Sequence, residues 1–355
     1  MNVILVGRDV APSQAFKILA GELRGCDWQV GEFLGNGKPL KASLQEIRLA
    51  AKETDIIVLG MSSSPERSAE ELFAGKFALE YKKPLALYAD NRSAWQRPHF
   101  QDLLAQANLL FVVDNQASAA AQNRFPNLQV VASGNPTWEQ YNSPVSSKQE
   151  ARRQLGFGDE EKLILAPLTK TLTVNLANLN AIIEAIFQSV ILQSLGVKLV
   201  VSLHPGEEES QQAFYQELAK FSPVPISLIA KGQAPPSHQL VAADLVIVIN
   251  PEGSVCTEAM FRRVPVIHYA TAISSCWNQA ETDSTSWTQF EAGTGLQITQ
   301  SIEELTEGIK SLGLGLGART RQMLQSQEEV YPKPPVEGAA VRIMAEYLVK
   351  LLSGA

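Results

Sequence analysis

Cysteine is scarce: Cys26, Cys256 and Cys276 are the only three in 355 residues. An odd number at wide spacing makes neither a disulfide framework nor a zinc knuckle, and a reducing compartment is the simplest reading. The four histidines show no metal-ligand spacing, so no metal and no cofactor are expected. Long apolar runs are missing too. The nearest approach, Ala181 to Leu203, is interrupted by Glu184, Gln188, Gln193 and Lys198 and falls short of the ~20 residues that span a bilayer. The opening Met1-Asn2-Val3-Ile4-Leu5-Val6-Gly7 has no basic leader, and its apolar run is too short for an export signal. A cytoplasmic protein without a transmembrane segment is the expectation. Basic excess is also absent: 30 Lys plus Arg stand against 37 Asp plus Glu, a net charge of −7. Nothing there favours a nucleic-acid backbone as partner.

What is present is ordinary globular material, 45% apolar and 19% charged, enough for two buried cores. Val3–Val6, Gln29–Leu34, Ile56–Leu59, Leu85–Tyr88, Leu109–Val113 and Leu128–Val131 read as six strands. Their Val/Ile/Leu content suits parallel strands covered on both faces. Helix-like segments at Ser13–Leu23, Leu44–Lys52, Ser68–Glu80 and Phe100–Ala107 alternate with them, predicting a doubly wound α/β domain. The rhythm pauses at Gly134-Asn135-Pro136 and the Pro/Ser-rich stretch from Asn142 to Lys148, which marks a boundary near residue 140.

A second run follows. Ser147–Leu155 and Ala177–Leu195 are predicted helices, the latter with Ile182, Ile186 and Val190 on one face and Ile183, Phe187 and Ile191 beside them. Leu163–Ala166, Val197–Leu203, Ile226–Ile229, Leu245–Ile249, Val266–Tyr269 and Gly295–Ile298 supply strands, and a last helix runs from about Glu337 to Leu352. The expected organisation is 1–140, 141–335 and a terminal helix in 336–355.

Ligands of open parallel sheets bind beyond the carboxyl ends of the strands, so those loops carry the candidates. After the strand ending at Asn250, Gly253-Ser254 opens a helix whose free N–H groups, including that of Val255, can hold a phosphate. Ser254 adds a hydroxyl, and Glu258 lies one turn on, where it can accept from a ribose diol. The same residues also describe a plain capped crossover helix. His204 ends a strand before a Pro-Gly turn and can donate to a diphosphate. Thr169 and Lys170 sit in a third such loop, as phosphate contacts or as solvated polar residues. In the first half, Gly7-Arg8-Asp9 follows the first strand, with Asp9 a candidate general base and Arg8 a charge stabiliser. Ser62-Ser63-Ser64 and Asp90-Asn91-Arg92 face the same way, or serve as turn and cap residues. A dinucleotide fingerprint and a Walker loop are both missing. Gly313, Gly315 and Gly317 read as a flexible link, and Glu207-Glu208-Glu209 as a solvated helix start.

Ala243-Asp244-Leu245-Val246-Ile247-Val248 followed by Gly253-Ser254-Val255-Cys256-Thr257-Glu258-Ala259-Met260 resembles the donor-binding signature of GT-B glycosyltransferases and of the related UDP-N-acetylglucosamine 2-epimerases. Gly134-Asn135-Pro136, Leu203-His204-Pro205-Gly206 and the terminal Glu337-Gly338-Ala339-Ala340-Val341-Arg342-Ile343 resemble three further motifs of that superfamily, in the same order. The resemblance covers the second domain in motif and the first in architecture. It implies two tandem Rossmann-like domains, with the active site in the interdomain cleft and the last helix crossing back to the first domain. It implies a metal-independent glycosyltransferase of the hexosyl or N-acetylhexosaminyl class, serving polysaccharide or glycoconjugate biosynthesis. The partners implied are a nucleotide-sugar donor and a sugar, lipid-linked or protein acceptor. The binding set implied by position is Lys170, His204, Gly253, Ser254, Val255 and Glu258, to which the loop reading adds Gly7, Thr169 and Glu252. Asp9 and His204 would be catalytic, with Arg8, Ser62 and Asp90 on the acceptor side. Asn250-Pro251-Glu252 departs from the family's serine- or glycine-rich approach, and no acidic, histidine-rich cluster stands out near Leu87–Pro98. Alternatives are an enzyme like the 2-epimerases, or a non-catalytic nucleotide-binding subunit of a glycosylation complex.

Overall fold

Six short runs of aliphatic residues build the first sheet: β1 (Asn2–Gly7), β2 (Gln29–Leu34), β3 (Ile56–Gly60), β4 (Leu85–Tyr88), β5 (Leu109–Val112) and β6 (Gln129–Ala132). In this computed structural model they pair in parallel, in the order β2-β1-β3-β4-β5-β6. The structure describes every residue except 144, 205, 283–286, 314–316, 334–336 and 354–355, and the side chains of 281, 282, 288 and 313. Pro144 of the Pro/Ser-rich stretch, Pro205, Gly315 and the expected domain bound at Pro335 fall outside the described residues.

Successive side chains of a strand face opposite ways, and the sheet uses both faces. Ile4, Val6, Ile57, Leu59, Leu85 and Leu87 join one core. Val3, Leu5, Ile56, Val58, Ala86 and Tyr88 join the other. β3, β4 and β5 are buried throughout, whereas β2 exposes Gln29 and Glu32, as an edge strand can. The second sheet holds β7 (Leu163–Pro167), β8 (Lys198–Ser202), β9 (Ile226–Ile229), β10 (Leu245–Val248), β11 (Val266–Ala270) and β12 (Leu296–Thr299). Its order is β12-β11-β10-β7-β8-β9, again all parallel.

The chain divides into two units. One comprises Met1–Gln140, Glu281–Asp283 and Pro334–Ala355, the other Tyr141–Ala280 and Ser284–Lys333. The terminal helix Ala339–Ser353 thus belongs to the first unit, where Val341, Met344, Ala345 and Leu348 complete the core around Phe16 and Leu19. Glu139 fixes its start, accepting from the N–H groups of Gly338 and Ala340 at 2.6 and 2.8 Å. A carboxylate at a helix N-terminus is favoured by the dipole and by the unpaired amides. Gly134 adopts φ +85°, in the left-handed region, and Asn135 then reaches the strand ends, its amide donating to the Asp90 carbonyl at 2.7 Å.

Three expectations fail. The helix expected over Ala177–Leu195 is two, Leu172–Phe187 and Val190–Ser194, because Ser189 caps the second by accepting from the Leu192 N–H. Ile182, Ile183 and Ile186 are buried as expected, but Phe187, Val190 and Ile191 are 50%, 79% and 52% exposed. Nor is Glu207 solvated: it is 3% exposed and held in a polar network described below. Gly317, read as part of a flexible link, is the cap of the helix Ala318–Val330.

The docking of the last helix is open to a direct test. Met344 is fully buried. Met344→Ala should cost roughly 3 kcal/mol of stability, read as a lowered denaturant midpoint with an unchanged slope.

Candidate functional site

Each sheet reverses its winding once. In the second, the chain builds outward from β7 through β8 and β9, then crosses to place β10 on the other side of β7. The loops leaving β7 and β10 diverge there, which opens a crevice at the carboxyl edge. In the first sheet the equivalent point lies between β1 and β3.

After β10, the Asn250 side chain accepts from the Glu252 N–H at 3.0 Å, and the Gly253 N–H closes on the Asn250 carbonyl at 3.3 Å. This turn delivers Gly253 as the cap of the helix Ser254–Phe261. A Cβ at residue 253 would stand 3.3 Å from that carbonyl oxygen, so glycine suits the close approach. Having no side chain, Gly253 leaves the first helical amides uncapped, including those of Ser254 and Val255. Ser254 is exposed. Glu258 is buried and its Oε1 accepts from Arg262 Nε at 2.7 Å. Burial raises its pKa while Arg262 opposes the shift. A ribose diol at Glu258 would share the carboxylate with that guanidinium.

In the loop after β7, Thr169 is a framework residue rather than a phosphate contact. Its hydroxyl donates to Asn175 Oδ1 at 2.9 Å and accepts from the Thr171 N–H at 3.2 Å, and the residue is 7% exposed. Asn175 also donates to Tyr215 Oη at 2.9 Å and to Glu207 Oε1 at 3.2 Å, and Tyr215 donates to the same oxygen. This buried network ties the β7 loop to the β8 loop and leaves Lys170 exposed above it. His204 Nδ1 accepts from the Gly206 N–H at 3.0 Å, so the neutral ring carries its proton on Nε2. Burial lowers the His204 pKa, and Lys170 and then Lys231 lower it further. Lys231 lies two residues beyond Ile229, the register partner of Ser202 in β8, and His204 lies two beyond Ser202. The sequence reading missed Lys231.

At the switch point of the first unit the expected base is a clamp. Asp9 Oδ1 pairs with Arg67 Nη1 at 3.1 Å and Oδ2 accepts from the Ser63 N–H at 2.8 Å, so both oxygens are engaged. Ser62 is fully buried and cannot face an acceptor; its hydroxyl accepts from the Asp9 N–H at 3.1 Å and donates to Glu71 Oε1 at 2.5 Å. Arg8 donates to the Glu66 carbonyl at 2.7 Å and pairs with Glu70 at 3.3 Å. Gly7 packs against Phe16 and its carbonyl accepts from Ser13 Oγ and the Gly35 N–H, so it is a packing position and not a nucleotide contact.

An acidic, histidine-bearing cluster nevertheless forms. Glu71, fully buried in the helix Ala69–Glu80, accepts from the Arg8 N–H at 2.9 Å, while its Oε2 has no partner. Burial pushes its pKa up to about 7, against the hydrogen bonds and with a further push from Asp9. Asp90, after β4, rises to about 6 through burial, opposed by Arg97 at 3.9 Å and supported by Asp9. His99 Nε2 stands 3.0 Å from Ser68 Oγ and 3.1 Å from the Ser62 carbonyl, with a pKa lowered chiefly by burial. Glu71 and His99 were invisible to loop-by-loop reading, since one lies inside a helix and the other eleven residues past its strand. Among the described residues no three His, Cys, Asp or Glu side chains form a metal-binding group.

Glu71 makes stability depend on pH. Its ordinary pKa of 4.5 becomes about 7 on folding, so the native state binds more protons between those values. The contribution is complete below pH 4.5 and is lost as pH rises through 7. Asp90 acts in the same direction. Glu71→Gln should therefore match the wild type near pH 4 and exceed it at pH 8 by up to about 3 kcal/mol, measured by urea unfolding at both pH values.

No protein-family model matches the sequence, and no curated protein matches it in sequence. Solved structures do match in fold. The S. aureus MnaA–UDP complex superposes with a TM-score of 0.63 at 15% identity, over 99% of this chain and 98% of that one. The UDP-GlcNAc 2-epimerase of Methanocaldococcus jannaschii, in complex with UDP-GlcNAc and UDP, gives 0.59 at 14%, over 98% and 99%. The UDP-forming α,α-trehalose-phosphate synthase of Burkholderia xenovorans gives 0.55 at 10%, over 99% and 98%. No helix among the described residues is long and apolar enough to cross a membrane. Full-length agreement with nucleotide-sugar enzymes of two reaction classes, on two parallel sheets in series, establishes that this chain has the GT-B fold.

Proposed function

We propose that the protein is an enzyme of nucleotide-sugar metabolism that inverts a carbon centre of the sugar, as a 2-epimerase does. The observation that carries this reading is the pair of carboxyl groups at the edge of the first sheet, Glu71 and Asp90, with pKa values of about 7 and 6. Removing a proton from carbon and returning it needs groups that change protonation near neutrality. Asp90 keeps 13% side-chain exposure whereas Glu71 has none, so Asp90 is assigned the proton transfer and Glu71 the support behind it. This moves the base from Asp9, whose oxygens are both committed.

In the second unit the diphosphate is assigned to the amides of Ser254 and Val255, the Ser254 hydroxyl and Lys170. His204 Nε2–H is a neutral donor alongside. Helix N-termini hold anions through aligned amides and the dipole, so the site needs no strongly basic surface. Glu258 is assigned the ribose and Glu252 flanks the helix entrance. The 2-epimerases among the fold relatives favour epimerisation over transfer. The trehalose-phosphate synthase keeps glycosyl transfer as the second reading, with Arg8 and the β3 loop on the acceptor side. A cytoplasmic location fits either substrate class.

Incubation with UDP-N-acetylglucosamine alone in deuterated water separates the readings. Epimerisation places deuterium at C2 without any acceptor, and turnover only with an added acceptor would replace it by transfer. Asp90→Asn should lower kcat by about 100-fold or more while UDP affinity changes less than twofold. Ser254→Ala should instead weaken UDP, seen as a loss of the roughly 2.7 kcal/mol that ligand at 100 times its Kd adds to stability.

A further inference from the structure

At the opposite, amino-terminal edge of the second sheet lies a cavity of about 340 Å³. It opens where Lys162, Asp244 and Pro265 lead into β7, β10 and β11. Lys148, Lys162, Arg262 and Arg263 all line it, against the single carboxylate of Asp244. That carboxylate is consumed: one oxygen takes Lys148 at 2.7 Å, the other Arg152 and the Leu163 N–H at 2.8 Å each. Arg262 is balanced by Glu258, and Glu328 is the acid acting on Arg263. Lys162 has no carboxylate partner among the described residues. The hollow thus keeps one cation, Lys162, without a carboxylate, in a chain with a net charge of −7. The remaining wall, with Pro265, Leu312 and Leu324, is apolar apart from Thr320.

A second observation concerns the backbone. Arg263 follows the helix Ser254–Phe261 with φ +57°, where the chain closes through the Val264 N–H on the Ala259 carbonyl. Glycine normally fills that left-handed position, because a Cβ is strained there. The position here carries an arginine, whose Nη1 and Nη2 donate to the carbonyls of Met260 and Tyr331 at 2.7 and 2.9 Å, holding the guanidinium at the cavity wall. The backbone thus holds a charged side chain, not glycine, at the cavity wall.

We propose that this cavity is a second binding site, for a small anion with an apolar body such as an alkyl phosphate, distinct from the diphosphate loops at the other edge. Its volume lies within the range of ligand pockets, and the mix of an apolar wall with a few placed polar groups is their usual composition. Lys162 and Arg263 would hold the headgroup and the Pro265–Leu324 wall the hydrocarbon.

Calorimetric titration of the full chain with hexyl phosphate tests this. Binding at one equivalent is expected, with inorganic phosphate and hexanol each at least 10-fold weaker. Lys162→Met and Arg263→Gly should each weaken hexyl phosphate by at least 10-fold. The glycine variant keeps a backbone suited to its position, and circular dichroism checks that both variants fold. UDP affinity, tied to the other edge, should stay within twofold of wild type in both. Absence of hexyl phosphate binding in the wild type, equal binding by the folded variants, or equal affinity for inorganic phosphate would overturn the proposal. Failure of UDP to bind any form would instead count against the diphosphate site and leave this result standing.

Discussion

Covering both faces of a parallel sheet is the constraint from which the rest follows. Once β3, β4 and β5 are buried on each side, a polar group along their length costs free energy unless it is paired, and only the Tyr88 hydroxyl stands there. Polar chemistry is pushed to the strand ends, and the point where winding reverses is the only place where two such ends part. Asp9, Ser62 and Asp90 in the first unit, and Lys170, His204 and Ser254 in the second, all stand at carboxyl ends for this reason. The second unit's amino-terminal edge is used as well, by the Asp244 network that joins Lys148, Arg152 and the start of β7.

The carboxyl ends of the two sheets are built from different materials. The second unit uses amides, a hydroxyl and two lysines, a set suited to holding an anion in a protein that is acidic as a whole. The first uses carboxyl groups deprived of water. Each device rests on a hidden polar frame: Asn175, Tyr215 and Glu207 fix the loops that carry Lys170 and His204, while Ser62, Ser68 and the Arg8 amide fix those around Glu71. Most of the unexpected residues lie in these frames rather than on the loop surface.

Strands were legible because a run such as Ile56-Ile57-Val58-Leu59 has no other low-energy use. The Gly-Ser helix entrance was legible because its spacing is local. Thr169, Gly7 and Ser62 were misjudged for one shared reason. A polar or small residue at a strand end has the same sequence signature whether it faces ligand or braces its neighbour, and only the partner's position decides. Glu71 lay beyond reach because its importance comes from Arg8 and Ser62, distant by 63 and 9 residues. The broken helix after Phe187 was missed because the apolar period continues through Ser189 although the backbone does not.

Glu139 holding the first turn of the Ala339–Ser353 helix has a consequence for how the protein is made. The first unit is interrupted in sequence, and the face formed by Val3, Leu5 and Phe16 is closed by Val341, Met344, Ala345 and Leu348, which leave the ribosome roughly 200 residues after Gln140. At translation speeds of about 5–20 residues per second, that face waits on the order of 10–40 s for its cover. The second unit, nearly continuous in the chain, can be finished first. The first unit is thus the last to mature, and for that interval an apolar face stays open to water.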